Sequence, residues 1–358
     1  MLNNIQTFRL FLHRSIILII YLTVTACTST QLLDTRDVLN SPIPTISTES
    51  TSPGTKTISS TQVQTDISSV VPTDIIPPAS LPPQEKPPAV TSTSQAITPT
   101  PLPSDYWMSL SITPTVSLNA RDIYQRGIDL GRNPHAFSKI GDCQSISTFF
   151  LSYFELPGFY NLGDYVSLQE SIDWFSGSYS RDSLAVKGGF NAAAILSPLR
   201  ADPKQCNPDE NPIACEFRLH NPSLALISLE EWWAGHPENY ETYLRQIIEY
   251  SIQQGVVPIL ATKADNLEGN HLINQTIARL ALKYDIPLWN FWLAVQSLEN
   301  HGLIALDSSG KMDMFHLTHS VRYYFYNDPS ATQSGWSVRN LTALQTLDAV
   351  RRGLLDEP

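Results

Sequence analysis

The sequence lacks any cluster of basic residues. Its 358 residues include 23 Lys and Arg against 34 Asp and Glu, which gives a formal net charge of −11 at pH 7. Electrostatic binding to nucleic acid or to anionic lipid requires concentrated positive charge. The composition therefore argues against both classes of partner, and it favours no other class.

Groups of metal ligands are missing as well. Of the eight histidines, His13 lies in the N-terminal segment, and His316 and His319 form the close pair in the late part of the chain. No further Cys/His cluster supplies a third ligand at suitable spacing. We therefore expect no metal site and no cofactor.

Long apolar runs are also scarce. In residues 1–27 two basic residues, Arg9 and Arg14, precede an apolar core from Ser15 to Val24. Spanning a membrane needs about 20 apolar residues, and this core is shorter. A basic start followed by a short apolar core is typical of an export signal.

The end of that segment predicts a lipid anchor. Residues 24–27 read Val-Thr-Ala-Cys and resemble the bacterial lipobox, in which the cysteine, here Cys27, becomes the lipidated first residue. The alternatives are an ordinary cleaved signal and a single anchor helix. Under each interpretation the rest of the chain is exported, and with the lipid it stays on the outer face of the bacterial cytoplasmic membrane or on the cell surface.

Aromatic residues are missing from residues 28–105, where roughly half of the positions are Ser, Thr or Pro. Such a stretch cannot bury enough apolar surface to offset the entropy lost on ordering. We interpret it as a disordered tether that holds the folded part away from a membrane. The folded part spans residues 106–358, which is long enough for one substantial core.

The chain has only four cysteines. Cys206 and Cys215 enclose a short polar loop, and in an exported protein a disulfide between them is the natural pairing. With Cys27 assigned to lipidation, Cys143 remains as a thiol. It is either an inert buried residue that acts as a small hydrophobe or a residue used in chemistry.

Apolar runs alternate with segments of helical spacing along the folded part. Four runs predict buried strands, at residues 137–143 (including a turn), 223–229, 256–261 and 286–291. Helical spacing indicates helices at residues 120–130, 165–176, 240–253, 272–282 and 337–355. Residues 183–199 contain a loop followed by an apolar run. This alternation favours βαβ units and a parallel sheet covered by helices, the α/β class.

The most informative stretch is an apolar run that ends in Gly141-Asp142-Cys143. A helix is predicted to follow, through Leu151. Open α/β sheets place their sites at the carboxyl ends of strands, beside helix amino ends. Cys143 is therefore the first candidate for a catalytic residue.

Four features together resemble the SGNH/GDSL hydrolase superfamily, across roughly residues 120–320. They are the Gly-Asp-Cys turn after the first strand, a downstream glycine pair at Gly188-Gly189, a later apolar strand with a turn, and a late Asp-x-x-His block with Asp313 and His316. The resemblance implies a three-layer α/β/α sandwich with a parallel, flavodoxin-like sheet. It also implies a hydrolase or acyltransferase that acts on acyl esters.

The resemblance assigns roles to individual residues. Cys143 takes the place of the family's nucleophilic serine, His316 matches the base, and Asp313 matches the acid that orients it. An acid three residues before a histidine can hold one ring nitrogen while the other faces the nucleophile. A thiol is a strong nucleophile once ionised, and a nearby imidazolium or helix amino end promotes that ionisation. Ser145 is a less suitable nucleophile because on a helix it would point elsewhere.

The oxyanion hole departs from the family pattern. The block expected to supply an Asn coincides with residues 230–233, Glu-Glu-Trp-Trp, so that Trp232 stands at the position of that Asn. We expect the donors to be backbone N–H groups near Cys143 and in the glycine pair, with Asn191 as a further side-chain candidate.

The resemblance and the predicted anchor together imply an exported, membrane-tethered esterase-like enzyme, with acyl or acetyl groups on extracellular glycans as one reasonable substrate class. The competing hypothesis is a binding module, the same fold with a decayed site that holds carbohydrate or peptide on Trp232 and Trp233. Those tryptophans could instead cover the core. A third interpretation treats Glu230 and Glu231 as the paired carboxylates of a glycosidase, although neighbours on an extended segment point to opposite faces.

Overall fold

Four parallel strands form a sheet in the computed structural model, which describes residues 102–230 and 237–356. In the order in which they lie side by side they are β1 (Asn133–Gly141), β2 (Pro222–Ser228), β3 (Val257–Ala261) and β4 (Leu288–Trp289). β2 is buried along its whole length, and its Leu226 pairs with Lys139 on one side and with Ile259 on the other. Because the strands are parallel, their carboxyl ends share one edge of the sheet.

Eight α-helices occur among the described residues. They are α1 (Leu118–Asp129), α2 (Gln169–Trp174), α3 (Ala192–Ile195), α4 (Pro212–His220), α5 (Pro237–Gln253), α6 (Leu272–Tyr284), α7 (Phe291–Val295) and α8 (Gly335–Leu354). Local sequence sets the ends of α4. Asn211 caps it by accepting a hydrogen bond from the Ala214 backbone N–H, and Pro212 suits the first helical position because its missing N–H is not needed there. Asn221 ends the helix in the left-handed conformation.

Helices from distant parts of the chain pack on the sheet. α1 contacts β2, β3 and α8, and α5 and α6 contact each other and β3. Trp289 of β4 is fully buried, and its indole N–H donates to the Thr342 hydroxyl oxygen of α8 at 3.1 Å. Phe150 stacks on Trp289 with ring centroids 6.2 Å apart. Burial of such large apolar side chains stabilises the fold by roughly 1.5–3 kcal/mol each.

The predicted α/β class with a parallel sheet is confirmed. Each of the four apolar runs forms a strand, and four of the five predicted helices occur with slightly shifted ends. The helix predicted at residues 165–176 is instead a 3₁₀ helix, Gly163–Leu168, followed by the short α2. β4 is shorter than predicted, with two paired residues. Pro287 before it has no N–H to donate to a ladder, and Asn290 after it already caps α7 by accepting the Leu293 N–H.

The helix predicted after Cys143 is not formed. The chain makes one 3₁₀ turn, Cys143–Ser145, after which Ile146 is extended with φ −63° and ψ 130°. Leu151 then takes a left-handed conformation at φ 69°, where its N–H donates to Asn340 Oδ1 at 2.6 Å. A tertiary hydrogen bond thus overrides local helical propensity. Cys143 does not lie at the amino end of an α-helix, so a helix dipole does not act on it.

Several sequence predictions fall outside the described residues. These are the export signal, the lipidation site Cys27, most of the tether, and the side chains of Glu231, Trp232 and Trp233. Among the described residues, no helix combines the length and the apolar character needed to cross a lipid bilayer.

Candidate active site

Cys143 lies directly beyond the carboxyl end of β1. Its side chain is buried, with 7% exposed. β1 ends at Gly141, where a Cβ atom would lie 2.2 Å from the Ser145 hydroxyl oxygen and 2.5 Å from the Ser228 carbonyl oxygen. Only glycine fits at this position, and it lets the turn pack directly against the end of β2.

Asp142 fixes the turn with both carboxylate oxygens. Oδ1 accepts the Gln144 backbone N–H at 3.0 Å, and Oδ2 accepts the backbone N–H of Glu230, just beyond β2, at 2.6 Å. The side chain is fully buried. Asp142 therefore joins the ends of β1 and β2 and sets the position of the neighbouring Cys143.

The Asp-x-x-His block lies on the returning arm of a hairpin-like loop. Ile304 N–H donates to the His316 carbonyl at 2.8 Å, and Met314 N–H donates to the Ile304 carbonyl at 2.8 Å. Met314 has φ 54°, a conformation that is uncommon for a side chain of this size. Such backbone strain persists where the surrounding structure enforces it. Here the strained residue lies in the turn that places the Asp313 carboxylate beside the His316 ring.

Asp313 orients His316 through both main chain and side chain. Its Oδ1 accepts the His316 backbone N–H at 2.9 Å, and both carboxylate oxygens lie 3.0 Å from ring Nδ1. Because a carboxylate only accepts, this contact assigns the proton of a neutral ring to Nδ1 and the lone pair to Nε2. The His316 side chain is 30% exposed and that of Asp313 is 9% exposed. This is the arrangement expected of a base and its orienting acid.

One side chain joins the Cys143 turn to this loop. Gln144 Nε2 donates to the Phe315 carbonyl oxygen at 2.8 Å and to Glu230 Oε2 at 2.9 Å. Gln144 follows Cys143 in the chain, and Phe315 precedes His316. The backbones that carry the two candidate catalytic residues therefore lie side by side.

A buried contact between a guanidinium and a carboxyl group supports the turn. Arg339 of α8 lies 2.9 Å from Glu230 Oε1, and it donates to the Gln144 carbonyl at 3.2 Å and to the Ser228 hydroxyl at 2.7 Å. Burial raises the pKa of Glu230 to about 8; Arg339 acts in the opposite direction and Asp142 in the same direction. Glu230 is 2% exposed and cannot reach a substrate. The paired-carboxylate glycosidase, of which Glu230 would be one member, is therefore not supported.

The glycine pair lies beside the end of β1. Lys187 N–H donates to the Gly141 carbonyl at 3.3 Å, and Val186 forms a parallel bridge with Gly141. The chain continues into Gly188 and Gly189, which are exposed. Gly189 has φ 77° and open space where a Cβ atom would lie. A backbone segment next to the Cys143 turn with an open face is what an oxyanion donor requires.

Asn191 serves a helix end. Its Oδ1 accepts the Ala194 backbone N–H at 3.0 Å and caps α3. This bond holds the side chain against its own helix, and it is the ordinary role of Asn at such a position. Asn191 thus has a structural function, and the oxyanion role expected from the sequence stays a prediction.

Sequence reasoning missed Gln144 and Arg339. Arg339 occupies a core position of α8 among the apolar residues Trp336, Ala343 and Leu347. An arginine within an apolar helical stripe indicates a buried polar partner, because arginine is almost never buried without one. Gln144 gave no comparable signal, since its partners are distant in the chain.

A second buried cation follows β3. Lys263 Nζ lies 2.7 Å from Asp265 Oδ1 and 2.6 Å from Glu268 Oε2, and all three side chains are at most 1% exposed. Burial by itself would lower the pKa of Lys263. The two carboxylates together have the larger effect, and the pKa is raised above its usual value. We interpret this cluster as a support for the loop that follows β3.

The predicted disulfide between Cys206 and Cys215 is present, with Cα atoms 5.3 Å apart. Among the described residues, these two cysteines and Glu210 form the group with metal-binding spacing. Their sulfur atoms are bonded to each other and cannot act as thiolate ligands. Cys143 is not part of a disulfide.

A surface depression of about 410 Å³ has none of the candidate catalytic residues in its wall. Its wall includes the aromatic ring of Tyr160 and the amide groups of Asn161 and Gln169. The Tyr160 hydroxyl donates to Gln169 Oε1 at 2.8 Å. An aromatic ring beside amide groups provides both an apolar face and hydrogen-bonding groups for a small ligand.

No family model, no curated protein and no solved structure matches this chain. The function of the site is therefore inferred from its own residues and geometry.

Proposed function

We propose that this chain is an SGNH/GDSL-like hydrolase or acyltransferase that acts on acyl esters. Cys143 is the nucleophile, His316 the base and Asp313 the acid that orients the base. The observation that carries the proposal is the 2.8 Å hydrogen bond from Gln144 to the Phe315 carbonyl. It ties the residue after Cys143 to the residue before His316, and it supports one shared site.

The proposed reaction follows from thiol chemistry. His316 takes the proton of the Cys143 thiol, the sulfur attacks the carbonyl carbon of the ester, and the carbonyl π electrons move to its oxygen. The intermediate collapses to a thioester, and His316 gives its proton to the departing alcohol. Water, or a second hydroxyl compound in an acyltransferase, then attacks the thioester with His316 again as base, and the thiol is restored.

The oxyanion donors in this proposal are backbone N–H groups. They come from the Cys143 turn and from Gly188 and Gly189, which follow the bridge to β1. The family's side-chain Asn is replaced by Trp232. Loss of one donor typically lowers the rate by about 10²–10³, so a slow enzyme is expected unless the backbone donors compensate.

The proposed location is outside the cytoplasm, with a lipid at Cys27. The Cys206–Cys215 disulfide supports export, because such bonds persist in oxidising compartments. An enzyme tethered through residues 28–105 would meet polymers of its own cell envelope. Acyl or acetyl esters on extracellular glycans are therefore the substrate class that we propose.

We extend the proposal to the layers of the fold. Right-handed crossovers from β2 through α5 to β3, and from β3 through α6 to β4, place both helices on one face of the sheet. α1 and α8, which contact each other, are then assigned to the other face. With the Val186 segment outside β1, the parallel segments follow the flavodoxin-like order 2-1-3-4-5. These contacts support a three-layer α/β/α sandwich.

A carbohydrate-binding or peptide-binding module without turnover is the second candidate function. The depression at Tyr160, Asn161 and Gln169 favours it, because this site is separate from the catalytic residues and combines a ring with amides. In that case the fold would hold its ligand there, and Cys143 would be an inert buried residue.

The two functions are separated by hydrolysis of a small activated acetyl ester. The full-length protein is compared with Cys143→Ala, Cys143→Ser and His316→Ala. We expect both alanine variants to fall to the uncatalysed rate, and the serine variant shows whether the thiol is required. Equal rates in all four proteins would contradict the hydrolase, and a glycan-binding screen with Tyr160→Ala would then test the binding module.

A further inference from the structure

Gln144 makes two hydrogen bonds that connect the two halves of the proposed site. Its Nε2 donates to the Phe315 carbonyl oxygen at 2.8 Å and to Glu230 Oε2 at 2.9 Å. A backbone carbonyl can only accept, so the nitrogen of the amide, and not its oxygen, must face Phe315. Both amide hydrogens are therefore committed, one to the His316 loop and one to Glu230.

Arg339 holds this arrangement in place. It lies 2.9 Å from Glu230 Oε1 and donates to the backbone carbonyl of Gln144 at 3.2 Å. The guanidinium itself lies 4.9 to 5.9 Å from four aromatic ring centroids, those of Phe150, Trp289, Phe291 and Trp336. Such packing favours a single position of the guanidinium. Gln144 is thus fixed at its backbone and, through Glu230, at its side chain.

The arrangement leaves the amide oxygen of Gln144 unsatisfied. Oε1 is buried and accepts no hydrogen bond from any described residue. Buried polar atoms are normally paired, because an unpaired one destabilises the folded state. The orientation of the amide is therefore set by its two donor contacts, to the Phe315 carbonyl and to Glu230.

We propose that Gln144 is a positioning residue that holds the His316 ring at its working distance from the Cys143 sulfur. The inference rests on the proposed hydrolase function. Gln144 acts through its neighbours: it is joined by a peptide bond to Cys143 and by a hydrogen bond to the carbonyl next to His316. A misplacement of about 1 Å between reacting groups can lower a rate about 100-fold.

The test measures the pairing of thiol and imidazole without knowledge of the substrate. The full-length protein is alkylated with iodoacetamide at about pH 6.5 and about pH 9, and the product is quantified by mass spectrometry on the peptide that contains Cys143. An imidazolium at His316 favours the thiolate at the lower pH, so the ratio of the two rates reports the pairing.

Three variants complete the experiment. Gln144→Met keeps the size of the side chain and removes both donors. His316→Ala removes the imidazole. Ser145→Ala is the matched control on the same turn, since the one side-chain hydrogen bond of Ser145 among the described residues is a long 3.4 Å contact with the Ser228 carbonyl.

We expect Gln144→Met to lower the alkylation rate at pH 6.5 roughly 10-fold, toward that of His316→Ala, with the rate at pH 9 unchanged. Ester hydrolysis should lose roughly 10- to 100-fold in kcat with KM unchanged, and Ser145→Ala should behave as the wild-type protein. A purely structural role would change the rate at both pH values or lower Tm alone. If the methionine variant does not fold, Gln144→Asn replaces it, because Asn keeps the amide on a shorter side chain. The two alkylation rates are then compared in the same way.

The His316→Ala result separates the two hypotheses. If this variant keeps the wild-type ratio of alkylation rates, Cys143 and His316 are not paired, and the proposed function fails together with the inference. If it lowers the ratio while Gln144→Met does not, the hydrolase proposal stands and the positioning role of Gln144 is wrong.

Discussion

Replacement of Glu230 by glutamine should change how the stability of the protein depends on pH. Burial raises the pKa of Glu230 from an ordinary 4.5 to about 8. Between pH 4.5 and about pH 8, Glu230 keeps its proton in the folded state, whereas in the unfolded chain it has released that proton. The stability contributed by this proton is therefore fully present below pH 4.5 and is lost as the pH rises through about 8.

The size of the effect follows from the pH interval. Each pH unit corresponds to about 1.4 kcal/mol, so the change between about pH 5 and about pH 8 is roughly 4 kcal/mol. Glutamine does not titrate. The free energy of unfolding of the wild-type protein minus that of Glu230→Gln should therefore fall by this amount across the interval. A constant offset comes in addition, because Arg339 loses its carboxylate partner, 2.9 Å away.

The assay is urea denaturation of both proteins at several pH values across this interval. Glu299→Gln provides a control, because Glu299 is an exposed carboxylate and its removal should leave the pH dependence unchanged. A difference between wild type and Glu230→Gln that stays constant with pH would refute the reasoning. It would mean that Arg339 keeps Glu230 ionised throughout and that the ion pair outweighs burial.

Two further predictions concern groups outside the site. Burial, together with Arg181, lowers the pKa of Lys139 to about 7, so the stability of Lys139→Met relative to the wild-type protein should fall as the pH rises from about 7 to 10.5. A constant cost comes in addition, because the Tyr179 carbonyl loses its hydrogen bond from Lys139. Urea denaturation across this interval measures the difference, and a difference that is independent of pH would contradict the prediction. Replacement of Cys206 and Cys215 by alanine opens a loop with a sequence separation of 9 and should lower the free energy of unfolding by roughly 2–3 kcal/mol in urea, with ester hydrolysis unchanged. A loss below about 1 kcal/mol would show that the bond constrains little.

The parallel sheet was predictable because its signal is local. The run at residues 223–229 is apolar without alternation, and β2 is buried on both faces. The spacing of Leu344, Leu347, Val350 and Leu354 likewise predicted α8, and these residues are buried. Burial patterns of this kind depend on the covalent order of side chains, which the sequence contains in full.

The segment after Cys143 was not predictable in the same way. Residues 146–151 have an apolar content that suits a helix, yet Leu151 N–H bonds to Asn340, which lies 189 residues away. A single tertiary hydrogen bond of this kind can outweigh the small differences in helical propensity.

By itself the sequence determined the strand and helix order, the loop closed by Cys206 and Cys215, and the pairing of Asp313 with His316, because each of these depends on neighbours in the chain. Tertiary structure alone decided that Gln144 reaches Phe315 and that Arg339 meets Glu230. Those contacts join residues more than one hundred positions apart, and their energies depend on burial, which exists only after the sheet and α8 have packed.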